Sequence, residues 1–312
     1  MVICIGEALI DFVPQGTVSA VTDLPGFTPV AGGSPFNCAI AAARLGAKVQ
    51  FASAVSTDMF GKHLVNRLRT ENVDLSLVQR NDRPSTLAFV KRDPSGSASY
   101  AFLADGAADR SFSLEEFPKR LPEEGLLQFG SISLIGDPAG SAILDLVERE
   151  RRNRVIAFDP NIRPTVIVDE ADYRARVERA LGASTVLKTS NEDLEWIFPD
   201  LPLDDAAHAA MERGVRVVIV TRGADGPEAF VDDQKTAVPA VPVTVADTIG
   251  AGDSFFAAIL VWLSEHGITM PDRIGNLTID DLRQALVFAS QVAAITCSRT
   301  GADPPYRREL TK

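Results

Sequence analysis

Cysteine is scarce in this chain of 312 residues: Cys4, Cys38 and Cys297 are the only three, odd in number and widely separated. Such a set excludes a disulfide framework or a thiolate zinc site and fits buried, reduced thiols in a cytoplasmic protein. Histidine is equally rare (His63, His208, His266) and never at ligand spacing, which argues against a histidine-based metal centre. Positive charge is in deficit, with 31 Lys+Arg against 42 Asp+Glu and a formal net charge of −11. So acidic a surface excludes nucleic acid as the main partner, because such binding needs a basic footprint. It leaves room for a small anion, since a few local cations and backbone N–H groups hold a phosphate. Long apolar runs are missing too. The greasiest stretch, residues 255–263, falls well short of the ~18 residues that suggest a membrane span. The opening MVICIGEALID carries no basic leader and meets Glu7 early, so the expectation is no secretory signal and no membrane partner.

What is present is ordinary globular composition, 46% hydrophobic and 23% charged, enough apolar matter for a sizeable core. A short apolar strand at 2–5 ends in Gly6, and residues 12–30, rich in Val, Thr, Pro and Gly, suggest short strands with turns. At Ser34-Pro35 a helix is expected to begin, with Ser34 as N-cap and Pro35 at the first helical position, and to end before Gly46. A strand at 49–55 and a helix at 60–71 follow. Residues 86–105 then read as a hairpin, LAFVKRD and ASYAFLAD joined around Pro94-Ser95-Gly96. Next come strand 126–132, helix 139–152, strand 154–158, helix 170–182, strand 185–188, helices 191–198 and 204–213, and strand 215–221. This alternation predicts a mostly parallel sheet with helices on both faces. A hairpin region at 226–245 leads into long helices at 252–265 and 280–298. With no repeat and no Gly/Ser linker, the chain reads as one domain bearing a small strand-built appendage.

Asp247-Thr248-Ile249-Gly250-Ala251-Gly252-Asp253-Ser254 directly precedes the apolar helix. Small residues there leave N–H groups bare at a helix N-terminus, where donors and dipole both favour an anion. An aspartate beside a bound phosphate makes sense if it takes a proton from an attacking hydroxyl; the same letters also read as Asp253 and Ser254 capping the helix. Gly32-Gly33-Ser34-Pro35-Phe36-Asn37 repeats the motif of glycines before a helix, with Asn37 one turn in as donor and acceptor for a hydroxyl-rich ligand. Asp159-Pro160-Asn161-Ile162-Arg163-Pro164 and Lys188-Thr189-Ser190-Asn191-Glu192-Asp193 lie where strands end, the ligand side of an open α/β sheet. Arg163 is a candidate phosphate clamp. The second run offers one cation and carboxylates suited to a hydrated Mg²⁺, or simply Ser190 capping a helix with acidic residues in its first turn. Asp11 would accept sugar hydroxyls or face solvent. There is no GxxxxGK[ST], and Gly250-Ala251-Gly252 lacks the third glycine of GxGxxG.

Together these residues resemble the ribokinase-like (PfkB) carbohydrate kinase family. GGSPFNCAIAAARLGA (32–47) is similar to its N-terminal signature and DTIGAGDSFFAAIL (247–260) to its C-terminal one, and the likeness runs over nearly the whole chain. The resemblance implies a Rossmann-like α/β domain over 1–312 with a β lid drawn from about 12–30 and 86–105. It makes Asp253 the catalytic base, Gly250, Ala251 and Gly252 the anion hole, and Arg163 a phosphate-side cation. Asp11, Gly32, Gly33 and Asn37 become sugar contacts. ATP would lie along Lys188, Thr221, Gly223 and Gly226, with Asn276 near the adenine. Asp247 and Thr248 mark a monovalent cation site (K⁺), and Asp193 is Mg²⁺-associated. GEALIDF (6–12) and FGSISL (129–134) resemble fructokinase segments, and Leu9 stands where ribokinases usually carry Asn. The implied reaction is ATP-dependent phosphorylation of D-fructose to fructose 6-phosphate. The rivals are a kinase of the same family for 2-keto-3-deoxygluconate, ribose or a nucleoside, for which last Tyr100 and Phe102 would offer stacking, or a silent sugar-binding protein. An exposed lid edge suggests a homodimer.

Overall fold

The computed structural model describes residues 1–15, 26–92, 98–115, 117–121 and 125–310. Parts of both expected lid segments, 16–25 and the turn 93–97, lie outside the described residues. The strands are β1 (Val2–Ile5), β2 (Leu9–Gln15), β3 (Gly26–Gly32), β4 (Val49–Ser56), β5 (Asp74–Asn81), β6 (Thr86–Arg92), β7 (Ala98–Leu103), β8 (Leu126–Gly130), β9 (Val155–Asp159), β10 (Val186–Ser190), β11 (Val217–Thr221), β12 (Glu228–Val231) and β13 (Gln234–Ala237). The helices are α1 (Ser34–Arg44), α2 (Met59–Thr70), α3 (Ala139–Glu150), α4 (Glu170–Ala183), α5 (Asn191–Ile197), α6 (Leu203–Glu212), α7 (Ala251–Glu265), α8 (Pro271–Ile274) and α9 (Ile279–Cys297).

The main sheet has the order β13-β12-β11-β10-β9-β8-β1-β4-β5. Its strands from β5 to β11 run parallel, and at one edge β12 turns back antiparallel to β11 and β13 reverses again against β12. Burial on both faces explains the continuous apolar letters of these strands. Along β1, Val2 and Cys4 enter the core beneath α1, α7 and α9, while Ile3 and Ile5 enter the core beneath α3 and α4, as a period of two requires. The chain leaves β1 for β4 on one side and later returns to β8 on the other. The strand order therefore reverses at β1/β8, and ligands of such sheets bind beyond the carboxyl ends at this point.

A second sheet, β3-β2-β6-β7, projects from this edge. One of its faces carries Phe12, Phe27 and Phe89, with Phe12 stacked on Phe89 at 4.8 Å and edge-on to Phe60 of α2 at 6.0 Å. The other carries Leu9 and Ala88, packed with Ile132 and Phe102.

Several boundaries differ from expectation. Strand β5 (DLSLVQRN) escapes a sequence reading because it is a sheet edge whose charged and polar letters hide the alternation. The expected hairpin at 226–245 stops at Ala237, and 238–247 holds no strand. Ser34 is not the N-cap of α1; Gly33 is, at φ 108° with no side chain to offer.

Candidate active site

Two helix N-termini converge over the ends of β1 and β10. α7 begins behind Gly250, which sits in the left-handed region at φ 74° and supplies no side-chain cap. A Cβ on Gly250 would stand 2.6 Å from that of Ala302, so both the conformation and the packing require glycine. Neither Asp253 nor Ser254 caps this helix. Ser254 Oγ donates to Ala251 O and accepts from Thr296 Oγ1, and the Asp253 side chain reaches across to α1. There Ser34 Oγ donates to Asp253 Oδ1 at 2.7 Å and Asn37 Nδ2 donates to Oδ2 at 2.9 Å. Burial raises the Asp253 pKa above the ordinary carboxylate value, and the Ser34 and Asn37 hydrogen bonds oppose that rise.

A buried cation stands below. Lys188 Nζ pairs with Asp159 Oδ2 at 2.9 Å and would lie 3.1 Å from a Cβ on Gly252, directly under the α7 N-terminus. Burial disfavours the ammonium, but Asp159, Asp253 and Asp193 outweigh it and hold the Lys188 pKa above its usual value. Asp159 Oδ1 is buried with no hydrogen-bond partner. Asp193 Oδ1 accepts from the Ile162 N–H, fixing the loop that carries Arg163. Burial, then the Asp159 charge, push the Asp193 pKa up, while Lys188 and Arg163 pull it down. Ser190 does cap α5, accepting from the Asp193 N–H at 3.0 Å.

On the lid side, Asp11 lies against Gly32, whose missing side chain leaves room for Asp11 Oδ2. Burial, then the Asp253 charge, raise the Asp11 pKa to about 7, with Arg163 pulling the other way. The structure thus gathers Asp11, Gly32, Gly33, Asn37, Arg163, Asp193, Lys188, Gly250, Ala251, Gly252 and Asp253 around one cleft. Thr221, at the end of β11, donates to Thr189 O and lines the same sheet edge. Gly223 follows at φ 52° with open space where a side chain would stand, whereas Gly226 is forced by backbone contact with Val238 and Ala240. Asp247 Oδ1 accepts from the Thr248 and Ile249 N–H groups and Oδ2 from that of Gly301, tying the anion-hole loop to the turn after α9.

Asn276 does not belong to this cleft. It lies exposed with Trp262, His266, Ile268 and Arg273 beside the far end of α7. At that end the Met1 amino group donates to Ser264 Oγ and the Val155 N–H donates to Thr269 O, so these residues stand where the parallel strands begin. Asn276 therefore sits on the same face of the sheet as Asp253 but at the opposite end of the strands, and the expected adenine contact is withdrawn. Phe102, posited with Tyr100 as a stacking surface for a nucleoside, is half-buried beside Leu9 and Ala88 on the lid face that also carries Asp11; the Tyr100 side chain lies outside the described residues.

Two residues of the site are not evident from sequence. Glu7 is buried and accepts the Ser34 N–H at 3.0 Å; its signal was a lone charge in the apolar run ICIGEALI. Asp159 was legible as a loop residue, but its pairing with Lys188 was not.

A cleft with a half-buried carboxylate, a buried lysine and an uncapped helix N-terminus at the switch point of a parallel sheet is the site of a group-transfer enzyme acting on anionic substrates. The pfkB family carbohydrate kinase model matches residues 1–308, and the chain belongs to that family. It is 40% identical to a fructokinase of Rhizobium leguminosarum bv. trifolii over 91% of this chain and 86% of that one. It is 31% identical to fructokinase-1 of Oryza sativa subsp. japonica over 99% and 95%. Among solved structures, a fructokinase from Xylella fastidiosa with bound ATP superposes with a TM-score of 0.88 at 26% identity, covering 99% and 97%. A Vibrio cholerae O395 fructokinase holding fructose, ADP and a calcium ion gives 0.84 at 26%, covering 96% and 94%.

Proposed function

We propose that this carbohydrate kinase transfers the γ-phosphoryl group of ATP to D-fructose, yielding fructose 6-phosphate and ADP, and that the whole chain acts as one catalytic domain with its lid. The observation that carries the reading is the Asp253 carboxylate, held by two donors from α1 at the mouth of the α7 N-terminus with Lys188 below. The Rhizobium fructokinase and the fructokinase structures holding ATP, or fructose with ADP, support the choice of substrates.

Fructose lies between Asp11 and Asp253, under the lid, with Asn37 and the Gly32–Gly33 backbone beside it. Its hydroxyl oxygen attacks the γ-phosphorus, the proton passes to Asp253, and the bond from that phosphorus to the ADP oxygen breaks. The N–H groups of Ala251, Gly252 and Asp253 and the Arg163 guanidinium stabilise charge developing on the transferred oxygens. Lys188 neutralises charge from beneath. The nucleotide runs along Thr221, Gly223 and the turn at Gly226. Lid closure keeps water from competing as acceptor.

The residues fit Mg²⁺. Asp159 keeps one buried oxygen without a partner, Asp193 shares its field, and Mg²⁺ needs only one or two carboxylates alongside phosphates and water. When bound, it supplies charge neutralisation for the phosphates. K⁺ beside Asp247 and Thr248 belongs to the same reading, on the loop that Asp247 fastens to Gly301. Three free cysteines support a cytoplasmic setting. β3 and β7 are the outer strands of the lid sheet, whose edges would let two copies pair as a homodimer.

Coupled-assay turnover with ATP on fructose, ribose, 2-keto-3-deoxygluconate and nucleosides tests the substrate. Fructose should lead, and phosphorylation of none would overturn the reading in favour of a silent binder. Asp253→Asn should retain ATP and fructose binding by calorimetry and lose about 10²–10⁴ in turnover, the range for a removed general base.

A further inference from the structure

Ser34 occupies the first position of α1, where a serine is ordinarily taken for a cap, yet its hydroxyl caps nothing. Its two polar groups are both committed within a buried environment. The N–H, which has no acceptor within its own helix, donates to Glu7 Oε1 at 3.0 Å, and Oγ donates to Asp253 Oδ1 at 2.7 Å. Asn37 takes the other oxygen of the same carboxylate. Two donors from one helix, one on each oxygen, define the plane of a group whose terminal torsion is otherwise broad.

We propose that Ser34 is a positioning residue for Asp253: its hydroxyl sets the rotation of the carboxylate and keeps it in the ionised form able to accept the sugar proton. The inference rests on Asp253 being the base, as proposed above. A carboxylate offers about four acceptor positions. With Ser34 and Asn37 on opposite oxygens, each oxygen retains one for the incoming hydroxyl, so the hold does not block the reaction. Glu7 secures the device from behind. A Cβ at Gly33 would stand 2.6 Å from Glu7 O, so the chain entering α1 is pressed against Glu7, and the Ser34 N–H is pinned to the carboxyl of the same residue.

The electrostatic setting makes the hydroxyl count. Facing Asp253 are Asp159 on β9, which raises its proton affinity, and Lys188 on β10, which lowers it. Asp11 on β2 and the buried Cys38 thiol on α1 share its field. Burial is the largest influence toward the neutral form, and the Ser34 hydrogen bond is foremost among those opposing it, ahead of Asn37. Loss of a donor to the charged form must raise proton affinity.

Ser34→Ala should lower kcat about tenfold, the size of one hydrogen bond to a charged group, with KM for fructose and ATP changed less than about twofold. The acid limb of its kcat/KM profile, which reports the free enzyme's base, should move up by about one pH unit. Ser34→Thr, which keeps the hydroxyl, should restore both. An unmoved limb, or a raised KM with kcat unchanged, would assign the hydroxyl to sugar binding or packing and overturn the proposal. The ¹³Cγ resonance of Asp253, titrated in wild type and Ser34→Ala without substrates, gives a second reading, and coincident midpoints refute the inference. That titration needs no turnover. A wild-type chain that phosphorylates no sugar would sink the functional reading and still let the resonance decide whether Ser34 governs Asp253.

Discussion

At the scale of single residues the cleft is built from omissions as much as from functional groups. Gly32 is the clearest case, because the space its side chain would fill holds Asp11 Oδ2. Gly32→Ala must therefore turn Asp11 away from the sugar position. The expected result is a KM for fructose raised about tenfold or more, the worth of a lost charged hydrogen bond, with KM for ATP unchanged; equal KM values for fructose in the two proteins would count against Asp11 as a sugar contact. The glycine pair and the aspartates were legible as letters. What sequence withheld was partnership. Ser34 and Asp253 are 219 residues apart along the chain, and Lys188 meets Asp159 across adjacent strands. No local pattern specifies such a pair. A serine before a proline at a helix start carries a strong local meaning, capping, and here the tertiary partner overrode it.

At the scale of elements, most helices and strands could be anticipated because their apolar periods are strong and uninterrupted; the exceptions have physical causes. β5 lies at the sheet edge with much of its length half-exposed, so burial imposes no clean alternation on it. Asn276, which the family resemblance set near the adenine, lies elsewhere because of the length of α7. α7 has 15 residues and at 1.5 Å each carries the chain about 22 Å away from the Asp253 loop, to the end of the sheet where strands start. The same helix depends on its first residue boundary. Gly250→Ala would place a β-carbon in the left-handed region, about 1–2 kcal/mol, and into Ala302. A thermal midpoint lowered by several degrees, with turnover lost as the N–H groups of residues 251–253 shift, is the expected outcome. A variant with wild-type melting and wild-type kcat would show that the loop tolerates a different entry.

For the molecule as a whole, a sheet reversing at β1/β8 brings acidic side chains to one crevice, and a chain of net charge −11 must keep them from repelling one another apart. It does so by burial that favours protonation and by pairing: Lys188 neutralises Asp159, while Glu7, shut away beneath α1, has its pKa raised by desolvation to about 7 from an ordinary 4.5. The unfolded chain releases that proton near pH 4.5, so between there and pH 7 the folded state binds more protons than the unfolded one. Stability from this group is accordingly greatest in acid, declines as pH rises through the interval, and levels off above about 7. Each tenfold change in proton affinity is worth about 1.4 kcal/mol, so the whole decline amounts to about 3 kcal/mol at most. Glu7→Gln removes the ionisation and keeps an oxygen for the Ser34 N–H. Its melting temperature should exceed that of wild type at pH 8 and converge with it at pH 5, measured by calorimetry at matched ionic strength. A difference between the two proteins that stays constant across that range would mean that Glu7 does not change its protonation on folding, and that the acidity of the crevice is balanced elsewhere.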